Sequence, residues 1–125
     1  HVHDLHGYFE RFKQLLKPQG KLVIAVPNYT SKDATIYGQH WAAWDVPRHL
    51  YHFSPTGLQQ LAHLKGLDIK EMHPMWFDAF YVSMLSEQYK TGQSNLLSAF
   101  WNGLRSNIQA LGDQRKCSSI IYVLG

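Results

Sequence analysis

The stretch WAAWDVPRHLYHF, from Trp41 to Phe53, gathers two tryptophans, an aspartate, an arginine and two histidines. Indoles can wall an apolar pocket, so Trp41 and Trp44 read as pocket walls. The guanidinium of Arg48 can grip a carboxylate or phosphate through paired hydrogen bonds, with Asp45 beside it. An imidazole titrates near neutral pH, so His49, with His52 second, is a candidate for moving a proton. The competing reading is structural: the tryptophans pack the loop, and Asp45 and Arg48 pair with each other.

Two other histidine groupings invite a metal reading. His1, His3 and His6 with Asp4 look at first like a binuclear hydrolase motif, and would imply a metal hydrolase. That site needs an Asp-His pair, and here Asp4 follows His3 but is separated from His6; Asp4 also stands where a helix cap belongs. His49 and His52 lie three apart, but no second pair at ligand spacing follows them. No metal site is expected. Cys117, in a terminal strand pattern, reads as a small buried hydrophobe.

The elements that must position these residues follow from periodicity. Leu5, Tyr8, Phe9, Phe12, Leu15 and Leu16 recur at helical spacing, with Asp4 as the cap and KPQG as the stop, Gly20 supplying a positive φ. The apolar run Leu22–Val26 predicts a strand covered on both faces, stopped by Pro27. Residues 29–53 show no clean period and read as an ordered loop with a short helical turn. Ser54 and Pro55 open a helix bearing Leu58, Leu61, Ala62 and Leu64, with His63 at its boundary, and Gly66 closes it. LDIKEMH alternates as a strand with one solvated face. Residues 76–111 read as two helices parted near Thr91 and Gly92, and CSSIIYVLG as a final strand.

Composition excludes several classes. The 125 residues have the length of one domain, and 45% are apolar, as in a folded soluble protein. No run approaches the roughly 18–20 apolar residues of a membrane span. The start has no basic-then-apolar layout of a secretory signal. One cysteine removes a disulfide framework. The net charge of +3 comes from scattered basic residues, so no nucleic-acid partner is expected. These features point to a cytoplasmic protein. The chain opens on polar side chains with no preceding strand and stops after an apolar run, which reads as a piece of a larger domain.

HVHDLHGYFERFKQLLKPQGKLVIAVPN resembles the second half of the class I S-adenosylmethionine-dependent methyltransferases, in which a helix ends in an LKPGG-like turn before the fifth strand. GQHWAAWDVPRHLYHFSPTGLQQLAHLKGLDI is similar to the subgroup holding the quinone-biosynthesis O-methyltransferase relatives, with its W…D-x-P-R-H-x-x-H-F-S run. The closing SSIIYVLG resembles that fold's seventh, antiparallel strand.

The resemblance implies an α/β fold: the carboxyl-terminal half of a Rossmann-like sheet, with strands at about 21–27, 67–73 and 117–124. Residues 1–125 would then be a partial methyltransferase domain with a helical insertion at about 76–111. Its cofactor is S-adenosylmethionine. His1 and Val2 match the end of the family's E-H-V segment and would lie at the edge of the cofactor pocket. No G-x-G-x-G stretch is present, so the cofactor-binding half would be missing and this piece alone inactive. Pro27 and Asn28, at the strand end, would sit beside the transferred methyl. Trp41, Trp44, Asp45 and Arg48 would hold a small-molecule or lipid-like acceptor, with His49 or His52 as base. Without its fourth-strand neighbour, the edge at 22–26 would be open and could pair in a homodimer. Membrane contact through the helical pair stays open. So does a non-catalytic interaction module built on its aromatic residues.

Overall fold

The computed structural model describes residues 1–93 and 95–125. Helix α1 (Leu5–Leu15) leads into strand β1 (Leu22–Pro27) and the short helix α2 (Lys32–Tyr37). Two 3-10 turns, Gly38–His40 and Ala42–Trp44, open the long loop. Helix α3 (Pro55–Leu64), strand β2 (Ile69–Pro74), helices α4 (Asp78–Thr91) and α5 (Leu96–Gly112) and strand β3 (Ser119–Leu124) complete the chain. This is an α/β arrangement compatible with a partial methyltransferase fold.

The last strand lies in the middle of the sheet, in the order β1-β3-β2, and runs antiparallel to both neighbours. Tyr122 pairs with Ile24 on one side and Met72 on the other, which puts all three on one face. Leu22, Ile24, Val26, Ile69 and Met72 pack there against Phe9 of α1 and Leu58 and Ala62 of α3, around the buried Ile120, Tyr122 and Leu124. Burial of such side chains contributes roughly 1.5–3 kcal/mol each.

The helix starts follow their caps. Asp4 Oδ1 accepts from the Gly7 amide at 2.9 Å, and Ser54 Oγ from the Gly57 amide at 3.1 Å. Each side chain satisfies a backbone donor that the first turn leaves free.

Two expectations are corrected and a third is refined. β1 is not covered evenly on both faces: its burial alternates, and Val23 is 61% exposed. The positive φ before β1 falls on Gln19 (62°), not Gly20. Gly20 is needed for room instead, since a Cβ there would stand 2.9 Å from the Lys17 carbonyl oxygen. Within residues 29–53, read as an ordered loop with a short helical turn, the helical part is α2, capped by Ser31 Oγ on the Ala34 amide at 3.3 Å.

Helices α4 and α5 pack closely at Gly103, where a Cβ would come within 2.7 Å of the Phe80 ring. The pair joins the sheet through Ser119 Oγ, which donates to Asp78 Oδ2. It leaves Leu97, Phe100, Trp101, Ile108 and Leu111 of α5 exposed. Among the described residues, no helix is long and apolar enough to cross a membrane.

Candidate functional site

The loop after β1 lacks an apolar stripe, yet it is fixed at several points by buried polar groups. Asp33 of α2 is fully buried, and its carboxylate accepts from Trp41 Nε1 at 2.8 Å, Ser106 Oγ at 2.8 Å and Ser118 Oγ at 2.7 Å. One side chain thus ties the loop to α5 and to the approach of β3. A few residues on, the Ala42 amide donates to Ser86 Oγ of α4 at 2.8 Å, and Trp44 Nε1 to the Gly38 carbonyl at 2.8 Å. Beneath them Tyr37 donates to Glu87 Oε1 at 3.1 Å, and Ser98 Oγ donates to the same oxygen at 2.6 Å. A buried carboxylate is tolerated only when its oxygens find donors, and both of these do.

The loop so held closes over the carboxyl end of β1 and bounds a cleft of about 630 Å³, counting the open space at its mouth. Ala25 and Pro27 form its floor, Tyr29, Trp41 and Phe53 its apolar walls, and His1, His49 and His52 its polar edge. Pro27, Ala43 and His49 also border a second recess, of about 580 Å³, whose far wall is Tyr81, Val82 and Tyr89 of α4. His49 stands between the two.

The imidazoles are oriented by the backbone. His49 Nδ1 lies 2.9 Å from the Ala43 carbonyl oxygen, and a carbonyl only accepts, so Nδ1 carries the proton and Nε2 presents a lone pair. His52 is held the other way round, with Nε2 donating to the Trp44 carbonyl at 2.9 Å. Its ring stands edge-on to Trp44, 4.8 Å between centroids. The His1 ring stacks on His49 at 4.9 Å.

The sequence-predicted residues separate into two groups. Pro27, Trp41, His49, His52 and His1 line the cleft. Trp44 stands behind it, packed against Trp41, Tyr29 and His52. Val2 is half-buried and is not among the lining residues. Asn28 is buried and fully engaged: its amide donates to the Arg115 and Cys117 carbonyls at 2.7 and 3.0 Å, and its Oδ1 accepts from the Thr30 amide and hydroxyl. It clamps β1 to the approach of β3 rather than facing the cleft. Arg48 spends two nitrogens on Asp45 Oδ1, at 3.1 and 2.7 Å, and this hydrogen bond pushes the guanidinium pKa up. Its side chain remains 74% exposed, outside the first cleft. Cys117 is buried, and burial pushes its thiol up, so it is no nucleophile.

Sequence reasoning missed Ala25, Val26, Tyr29, Ala43, Tyr51 and Phe53 as lining residues. Tyr51 and Phe53 lie inside the stretch that drew attention, and their aromatic character was the available signal. Tyr51 also donates to the His3 carbonyl at 3.1 Å, fastening the start of the chain to the loop.

The lining chemistry suits some ligands and not others. Apolar walls with imidazole nitrogens fit a flat or branched organic group bearing an oxygen or nitrogen. They do not fit a ribose, whose hydroxyls call for a carboxylate, because no lining residue of the first cleft is acidic. Nor is there a glycine-rich turn at its floor.

Residues 1–71 match a family model described as a methyltransferase domain, more than half of the chain. No curated protein matches the chain.

Proposed function

We propose, from the premise that the chain belongs to the methyltransferase-domain family, that it supplies the acceptor side of an S-adenosylmethionine-dependent methyltransferase. The acceptor is a small or lipid-like molecule, as in the subgroup of quinone-biosynthesis O-methyltransferase relatives that the D-x-P-R-H-x-x-H-F-S run resembles. One observation carries this reading: the cleft lies at the carboxyl end of β1, where open α/β sheets place their ligands, and has apolar walls and oriented imidazoles.

Methyl transfer is a displacement at carbon, so the protein's tasks are to align the acceptor atom and exclude water. Trp41, Tyr29 and Phe53 offer the apolar contact that does both. A base is required only when the acceptor atom must lose a proton. His49 Nε2, with its lone pair free, is the first candidate, and His52 the second. Asp45 and Arg48, paired just outside, brace the turn that carries His49 and border the second recess on the α4 side. No G-x-G-x-G stretch occurs among these residues, so this reading expects the 125 residues alone not to turn over.

Calorimetric titration of S-adenosylhomocysteine tests the reading. Binding by the full-length protein and not by this chain is the expected result. Tight binding by this chain alone removes the division of labour, and no binding by either removes methyl transfer. In the full-length enzyme, unchanged turnover of His49→Ala removes the base assignment.

A second reading, an interaction module, draws on the exposed apolar side chains of α5. It predicts a chain that captures a partner protein or a lipid surface through Phe100 and Trp101. Pairing of two copies through the edge of β1 that faces away from β3 belongs instead with the first reading, in which that edge lacks its family neighbour.

A further inference from the structure

His1, Asp45 and His49 come from two distant stretches of sequence, yet each offers one ligand atom, and these atoms lie within 4.8 Å of one another. We propose that this trio is a divalent transition-metal site, taking Zn²⁺ or Co²⁺ at the edge of the cleft. The proposal rests on the acceptor-pocket reading of that cleft and changes the part His49 plays in it.

Several features single out the trio from an ordinary polar edge. His49 Nδ1 donates to the Ala43 carbonyl, which fixes the tautomer with Nε2 unprotonated and turned toward Asp45 Oδ2, 4.0 Å away. A backbone acceptor on the far ring nitrogen is the support that metal-bound histidines ordinarily have. Asp45 is braced in the same manner: Arg48 engages Oδ1 and leaves Oδ2 unclaimed by it. Both side chains are half-buried, which limits the water that competes for them. The His1 ring lies against that of His49, 4.9 Å between centroids, so a rotation of the exposed His1 side chain is enough to turn its nitrogen toward the other two ligand atoms.

The spacing is near that of an ion site. Ligand bonds of roughly 2.0–2.2 Å at a tetrahedral angle put two donors on one ion about 3.3–3.6 Å apart. The His49–Asp45 separation of 4.0 Å lies close to this, and the exposed His1 side chain must move by about an ångström to bring the widest separation in. Two imidazoles and one carboxylate favour Zn²⁺, Co²⁺ or Fe²⁺ over Mg²⁺ or Ca²⁺, which prefer all-oxygen shells. Three protein ligands leave coordination positions open, and His1 and His49 both line the cleft. An acceptor oxygen seated there can complete the shell. His49 is then a ligand, not the base, and His52 is left as the imidazole facing the acceptor.

The site is tested without turnover by adding Co²⁺ to the folded, untagged chain. Visible d–d absorption is expected, with paramagnetic shifts on the ring protons of His1 and His49 ahead of those of His3, His6 and His63. Asp45→Asn and His49→Ala should each weaken binding by at least about tenfold, while His3→Ala leaves it unchanged; circular dichroism confirms that each variant is folded. Asparagine tolerates the positive φ of 42° at position 45, so the turn survives. Shifts confined to His1 and His3, or binding lost in His3→Ala, identify a chelate of the chain's first residues and overturn the site. So does the absence of any Co²⁺ binding. Turnover of the full-length enzyme that persists in chelator after such a failure leaves the methyl-transfer reading standing.

Discussion

The face of the sheet beneath α1 and α3 and the loop region above β1 are held by different physics. Under the sheet, Phe9, Leu58, Ala62, Ile120, Tyr122 and Leu124 form an apolar cluster with no directional partners. Above β1, Trp41 and Tyr37 are equally buried, but each is fixed by a hydrogen bond to a buried carboxylate, Asp33 or Glu87. The first region derives its stability from area removed from water and tolerates changes that preserve volume. The second depends on every donor having its acceptor, so it is specific in shape and intolerant of small chemical changes. A loop that holds His49 and His52 in fixed orientations gains from the second kind of construction.

Four substitutions press on that contrast, beginning with the largest effect. Leu58→Ala leaves a cavity in the apolar cluster and should cost about 3–5 kcal/mol in urea unfolding; the loop's contacts, measured by the indole Nε1–H shift of Trp41, should stay as they are. Asp33→Asn keeps the volume but replaces an acceptor oxygen with a donor against three donors, and should cost about 2–4 kcal/mol. A loss below about 1 kcal/mol there would mean that the loop rests on apolar packing after all.

The remaining two make the same change in each region. Tyr37→Phe removes the donor to Glu87 and the acceptor of Asn102, whose amide lies 3.1 Å from the hydroxyl, and should cost about 1–2 kcal/mol at neutral pH. Tyr122→Phe should be nearly neutral there, because its phenol is shifted by burial rather than by a partner. Its effect belongs to alkaline pH. Burial pushes the Tyr122 phenol up to about 12, above the roughly 10 of an unfolded tyrosine. A folded-state value above the unfolded one gives stability that is whole below pH ~10 and is lost as pH rises toward ~12. Tyr122→Phe should therefore move the alkaline unfolding midpoint upward, as followed by circular dichroism. Equal neutral-pH losses in the two tyrosine variants would erase the distinction between the regions.

The same contrast explains what the sequence disclosed. α1, α3 and β2 are legible because an apolar side chain recurs at the period of its element and because Asp4, Ser54 and Gly66 punctuate them, and β3 because it is a short apolar run. The α4–α5 pair is legible as two helices parted at Gly92, but small and polar residues such as Ser83, Ser86, Gly103 and Ser106 form its buried face. α2 is not legible: its buried positions are Asp33, Ala34 and Tyr37, and a carboxylate on the inner face hides the stripe. The uneven cover of β1 was hidden too, since five consecutive apolar residues look the same whether one face or both are packed.

At the site, residue types announced His49, His52, Trp41 and Pro27, and all four border the cleft. The pairing of Arg48 with Asp45 was one of two readings that a spacing of three residues allows. The engagement of Asn28 with the carbonyls of Arg115 and Cys117 spans nearly the whole chain, and no local pattern encodes it. The convergence of His1 with Asp45 and His49 is hidden for the same reason: it exists only once α1 has docked and Tyr51 has fastened the loop to the chain's start.

Asp33 also bears on how such a chain can change over generations. Trp41, Ser106 and Ser118 share its two oxygens. A lineage that replaces this aspartate must find new acceptors for two hydroxyls and an indole, or lose them in the same few steps. The neighbours of Leu58 can exchange methyl groups one at a time. The constellation around Asp33 is instead inherited whole or abandoned whole, so homologous chains should divide into those carrying all four residues and those carrying a different loop.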